Sequence, residues 1–243
     1  MSGHSKWANI KHKKAKTDAQ KGKIYTKFSK QIIVAVREGG PDPDVNYKLK
    51  DIIDKAKEAN MPNDNIERAI KRGSGDIDGA NYEEIMYEGY GPGGVAILLD
   101  ATTDNKNRTA GDFRHLFDKY GGNLGETGCV AWMFEKKGLI IIEKDDETDS
   151  DSIMMIAIDS GADDVEEQDD SIEITTSPES FEGVKKALKD NNIHLSSSEI
   201  TYIPKTTVKV SGKEREKLES LLELMEDHDD VQNVYSNYES DDE

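Results

Sequence analysis

The first thirty residues carry nine lysines against a single acid, Asp18, and a stretch so uniformly charged cannot collapse onto itself. Between Ile10 and Lys23 only Ile10, Ala15 and Ala19 are apolar, too few to bury a stripe, so lysine self-repulsion leaves this segment to be ordered by a counter-charged partner. Any core has to be built downstream of it. The formal net charge of the whole chain is -18, yet residues 1–75 hold seventeen Lys and Arg against nine Asp and Glu, a balance of +8 that leaves -26 for residues 76–243. Such a split marks a basic arm that seeks polyanions, attached to a body that repels them. A solvated lysine-rich helix with no partner is the competing reading.

Past the arm, apolar residues recur at helical spacing. Ile24, Phe28, Ile32, Ala35 and Val36 predict a helix ending at Gly39-Gly40-Pro41; Val45, Leu49, Ile52, Ile53, Ala56 and Ala59 predict a second over 44–59; Ile66, Ala69 and Ile70 predict a third, capped by Asp64 and Glu67 and closed at Gly73. Three short amphipathic helices form a small bundle, either as plain packing or as a helix-turn-helix reader. The glycine-rich stretch 73–81 reads as a linker.

Beyond it the pattern is mixed. Strands are expected at Val95–Leu99, Cys129–Phe134, Leu139–Ile142, Asp164–Gln168, Ser171–Thr175, Glu199–Ile203, Thr207–Val210 and Val231–Tyr235. Helices are expected around Phe113 and Phe117, over Ile153–Ile158, after Pro178, and after a Ser211/Glu214 capping box carrying Leu218, Leu221, Leu222 and Met225. The order implies an α+β fold: an N-terminal helical domain with the basic arm (1–76) and two ferredoxin-like α+β domains, one split (77–136 and 206–243) and the other inserted into it (137–205).

Few residues suggest covalent chemistry. Gly89–Gly94 precedes a strand and lacks a following Gly-Lys-Ser/Thr, so it reads as a turn rather than a phosphate loop. The five histidines show no ligand spacing, the acidic run 145–151 lacks the glycine and closing glutamate of a calcium loop, and Cys129 sits in an apolar run as a small buried residue; no metal or cofactor is expected. One cysteine excludes an internal disulfide and suits a reducing compartment, and no apolar run approaches bilayer length or a signal peptide; a cytoplasmic address without membrane contact is expected.

The candidate nucleic-acid contacts are the arm residues Lys6, Trp7, Lys11, His12, Lys13, Lys14, Lys16, Lys21 and Lys23. Each lysine that neutralises a phosphate releases counterions without reading bases. Trp7 either stacks on an unpaired base, worth roughly 1–3 kcal/mol, or anchors a core. A second polar segment, 102–109, offers Lys106 and Arg108 just before a helix N-terminus, a setting for anion contacts that helix capping explains equally well. A bare lysine run accepts duplex DNA, and the aromatic option favours RNA.

Four ordered motifs carry a resemblance that spans the chain: 3–12 (Gly-His-Ser-Lys-Trp-Ala-Asn-Ile-Lys-His), Tyr87–Val95, Thr103–Thr109, and Gly121-Gly122-x-x-Gly125 running into Val130–Phe134. Together they resemble the YebC/PmpR family. Cys129 departs from the small residue usual there, and the acidic tail is longer. The resemblance implies one helical and two α+β domains and no catalysis. It also implies one of two roles: a DNA-binding regulator of transcription, as bacterial members are described, or a ribosome-associated translational activator meeting ribosomal RNA.

Overall fold

The computed structural model describes residues 18–75, 77, 79–145 and 148–239. In chain order its elements are α1 (Asp18–Gly39), α2 (Tyr47–Glu58), α3 (Asn63–Gly73), β1 (Glu83–Tyr90), β2 (Ala96–Thr103), α4 (Lys106–Tyr120), β3 (Asn123–Leu124), β4 (Phe134–Glu143), α5 (Ser150–Asp159), β5 (Asp164–Glu167), β6 (Ser171–Thr176), α6 (Phe181–Asp190), β7 (Ser197–Pro204), β8 (Val208–Lys209), α7 (Gly212–Glu226), β9 (Val231–Ser236) and β10 (Tyr238–Glu239). The described residues fall into two compact units, one of 18–131 with 210–236 and one of 132–209 with 237–239. The α+β class expected from the pattern is the observed one.

In the first unit, α1, α2 and α3 bury Ile32, Ile33, Ala35, Leu49, Ile52, Ile53, Ile66 and Ala69 in one cluster. Helix α2 starts three residues later than the apolar pattern predicts. The Asn46 side chain accepts from the Leu49 amide at 3.1 Å and donates to the Ala35 and Gly40 carbonyls at 2.8 Å each, a buried cap that sets the first turn. Val45 therefore lies outside the helix, 71% exposed instead of packed in the core. Pro62, with no side-chain cap bond, opens α3 ahead of Asp64.

The sheet of this unit has the antiparallel order β3-β1-β2-β9. Helices α4 and α7 pack together against it, burying Phe113, Phe117, Leu218, Leu221 and Met225. Close approach of α4 depends on Gly89: a Cβ there would stand 2.6 Å from the Asn123 carbonyl and 2.8 Å from the Phe117 ring. Helix α4 ends where Gly121 takes φ 86°, a left-handed conformation that lets the Gly122 amide reach the Phe117 carbonyl at 2.9 Å. On the other face of β1 the carboxylate of Glu88 is buried and accepts the amides of Gly128 (2.6 Å), Val130 (2.8 Å) and Ala131 (2.7 Å). Those three bonds curl residues 128–131 into a turn. The expected strand at 129–134 begins only at Phe134, leaving Trp132 64% exposed.

The second unit runs β4-α5-β5-β6-α6-β7 with the antiparallel order β5-β6-β4-β7, the ferredoxin-like arrangement. Ile140, Ile142, Ile172 and Ile174 face Ile153, Ala157, Phe181, Val184 and Leu188. The strand pattern at Thr207–Val210 contracts to β8, which pairs in parallel with β10 and joins neither four-stranded sheet. The four-stranded sheet of the first unit instead contains β1, a strand that the apolar pattern does not mark.

Candidate functional site

Helix α1 sets Lys23, Lys27 and Lys30 on one face, and that face meets the C-terminal end of α7 within the same unit. Lys23 donates to the Asp227 carbonyl at 3.1 Å, Lys27 to the Glu226 carbonyl at 2.6 Å, and Lys30 to the Asp229 carbonyl at 2.9 Å. Helix α7 has no basic residue in its own last turn, and the partial negative charge of its carbonyl end is met by Lys23 and Lys27 from another helix, with Lys30 on the turn that follows. Burial pushes the Lys27 pKa down, against the opposing pull of Glu226, Asp227 and Asp229.

Just past this helix end, Asp230 is the centre of a buried charge cluster. Its Oδ1 accepts from Lys30 at 2.6 Å, and its Oδ2 from Arg108 at 3.0 Å and from the Thr109 hydroxyl at 2.8 Å. The Thr109 oxygen is also 2.8 Å from that of Thr103. With its one proton committed to the carboxylate, Thr109 accepts there. Thr103 receives the Asn105 amide at 2.9 Å, and Asn105 caps α4 through the Arg108 amide at 3.1 Å. Burial raises the pKa of Asp230, but Lys30, Arg108 and Thr109 outweigh it and hold the pKa at about 2. His228 accepts the Asp230 amide on Nδ1 at 3.1 Å, directing its Nε2 toward Asp112 at 3.5 Å while its ring packs on Phe113.

Of the candidate contacts, Lys6, Trp7, Lys11, His12, Lys13, Lys14 and Lys16 lie outside the described residues. Lys21 is exposed on α1, and Lys23 belongs to the grip on α7. Lys106 pairs with Glu83 at 2.7 Å, and Arg108 bridges Asp104 (2.9 Å) and Asp230. Both cations of the 102–109 segment are thus turned toward carboxylates of the chain itself. Lys106 is on an exposed pair that a phosphate exchanges cheaply, whereas freeing Arg108 strips a counter-charge from buried Asp230.

The chain matches the N-terminal domain of TACO1/YebC proteins over residues 5–76 and their second and third domains over residues 82–238. It belongs to the TACO1/YebC family. A "probable transcriptional regulatory protein" of Natranaerobius thermophilus is 59% identical over 100% of this chain and 98% of its own length. A protein of the same description from Pelotomaculum thermopropionicum is 56% identical over the full length of both. The crystal structure of a conserved hypothetical protein from Aquifex aeolicus superposes with a TM-score of 0.85 at 46% identity, covering 98% of each chain. The TACO1/YebC family is regulatory and not enzymatic.

In this TACO1/YebC chain the cluster is suited to holding charge in place. Among the described residues no group of three or more His, Cys, Asp and Glu side chains is placed to hold a metal ion, and no helix is long and apolar enough to cross a membrane. Sequence reasoning does not find Lys27, Lys30, Thr109 or Asp230. A faint signal exists for the lysines: 23, 27, 30 and 34 share one helical stripe, and Val34 at its end is buried yet stands apart from the three-helix core. Asp230, one of many acids in an acidic chain, gives no signal.

Proposed function

We propose that this chain is a cytoplasmic regulator of transcription that binds DNA through the phosphate backbone, using the lysines of its N-terminal segment. The observation that carries this reading is the concentration of nine lysines against one acid in residues 1–30 of a chain whose remainder is strongly acidic. The description shared by the relatives from Natranaerobius and Pelotomaculum supports it. The grip of Lys23, Lys27 and Lys30 on α7 supports it in a second way, since it fixes the root of the basic segment to a rigid unit. Lys6, Lys11, Lys13, Lys14 and Lys16 then carry the phosphate contacts, Lys21 adds to them, and Trp7 stacks beside them. The acidic body keeps the nucleic acid confined to that end.

The test is a titration of the full chain with duplex DNA and with ribosomal RNA across a salt series. Replacing Lys11, Lys13, Lys14 and Lys16 with glutamine removes up to four phosphate contacts, so the slope of log K against log salt falls by about 3–4. An unchanged slope sinks the assignment to the arm. Salt-resistant preference for ribosomal RNA over DNA replaces the transcriptional reading with the translational one.

A further inference from the structure

Helices α5 and α6 cover the same face of the same sheet, and they spend their apolar residues differently. Helix α6 turns Phe181, Val184 and Leu188 inward and shows Glu182, Lys186 and Lys189 to solvent, the division its length and position require. Helix α5 carries six apolar residues in a row, Ile153 to Ile158, of which only Ile153 and Ala157 are buried. Met155 is 65% exposed and Ile158 56%. With Asp151 they fall at i, i+4 and i+7, one outward stripe with Asp159 at its edge. The fold has no use for two large apolar side chains there, as α6 demonstrates.

The surroundings of the stripe are predominantly anionic, although neighbouring α6 shows Lys186 and Lys189 to solvent. Residues 145–184 contain fifteen Asp and Glu and no Lys or Arg. Of the lysines on and just past β4, Lys144 is already engaged with Glu167 at 2.6 Å, while Lys137 lies on the opposite face of the sheet and pairs with Asp163 at 2.8 Å. We propose that the Met155–Ile158 face of α5 is a docking surface for a cationic amphipathic segment of a partner protein, its apolar side chains seated on Met155 and Ile158 and its cations on Asp151 and Asp159. Methionine suits this use because its flexible thioether adapts to the shape presented to it. A nucleic acid is repelled by the same carboxylates. A second copy of this chain would bring two acidic rims together, so self-association through this face is disfavoured. The surface is independent of the nucleic-acid reading and lies in a different compact unit from the α1–α7 grip.

A 14-residue helical peptide of leucine and lysine, with a leucine–glutamate peptide as its charge-reversed control, probes the full chain directly by calorimetry. Binding of the lysine peptide alone is expected. M155S/I158S should weaken it at least tenfold with the melting temperature unchanged, since both side chains are exposed. D151N/D159N should weaken it about threefold and flatten its salt dependence. Equal binding to the parent chain and to M155S/I158S overturns the proposal. Concentration-dependent dimerisation that M155S/I158S abolishes also overturns it, by giving the face to a second copy.

Discussion

Two carboxylates are buried in the first unit, and they are held by opposite means. Asp230 is surrounded by side chains that bring charge of their own, Lys30 and Arg108, with Thr109 completing the set. Glu88 is surrounded by three neutral backbone amides. The difference lies in what each burial makes dependent on it. Asp230 compensates cations that would otherwise be stranded, so it couples α1, α4 and the turn after α7. Glu88 compensates nothing and instead dictates the path of residues 128–131. One joins distant segments; the other shapes a single loop.

The comparison is broken most severely at Asp230. Asp230→Ala leaves Lys30 buried without its counter-charge, and urea denaturation is expected to show a loss of about 3–5 kcal/mol. Glu88→Gln keeps the shape but turns an amide NH2 toward backbone donors, for an expected loss of about 2–3 kcal/mol; a loss equal to that of Asp230→Ala would mean that the two sites are not different in kind.

Acid titration sharpens the contrast. Both folded-state pKa values lie below the ordinary carboxylate range, Glu88 because its three amide bonds outweigh the upward push of burial. Each group therefore stabilises the fold above its unfolded pKa near 4 and loses that contribution as the pH falls through the folded value. For Asp230, with a folded pKa of about 2, the contribution is about 2 kcal/mol and disappears between roughly pH 5 and 2. Asp230→Asn should flatten the acid limb of the stability profile by that amount, and a limb parallel to that of the parent chain would contradict the pairing. The smallest effect belongs to Lys106→Gln, whose exposed pair with Glu83 contributes at most about 1 kcal/mol to the melting transition.

Much of the architecture is legible in the sequence because it follows from local periodicity. The bodies of α1, α2 and α7 and the strand of four aliphatics at 139–142 announce themselves through spacing, though α1 starts at Asp18, inside the lysine-rich stretch read as an arm, and α2 starts at Tyr47 and not at 44. Strand β1 does not, since its two buried positions are Glu88 and Gly89, one wanted by a loop forty residues on and the other by the Phe117 ring. Val45 misleads in the opposite direction: it fits the apolar stripe, but Asn46 caps the helix after it. The candidate site is less legible still. A lysine on α1 looks the same whether it faces a phosphate or a carbonyl, and the partner that decides between them for Lys30 is two hundred residues away.

That separation has a consequence for how the protein is made. Lys30 leaves the ribosome two hundred residues before Asp230, and at about 5–20 residues per second the interval is roughly 10–40 s. During it the chain 132–209 is completed and can close its own sheet, whereas the first helix waits with its ammonium groups unmatched. Assembly of the first unit thus waits for residue 230, and a chain stopped before residue 226 would carry the four-stranded sheet of the second unit together with a first helix still lacking the helix end it grips.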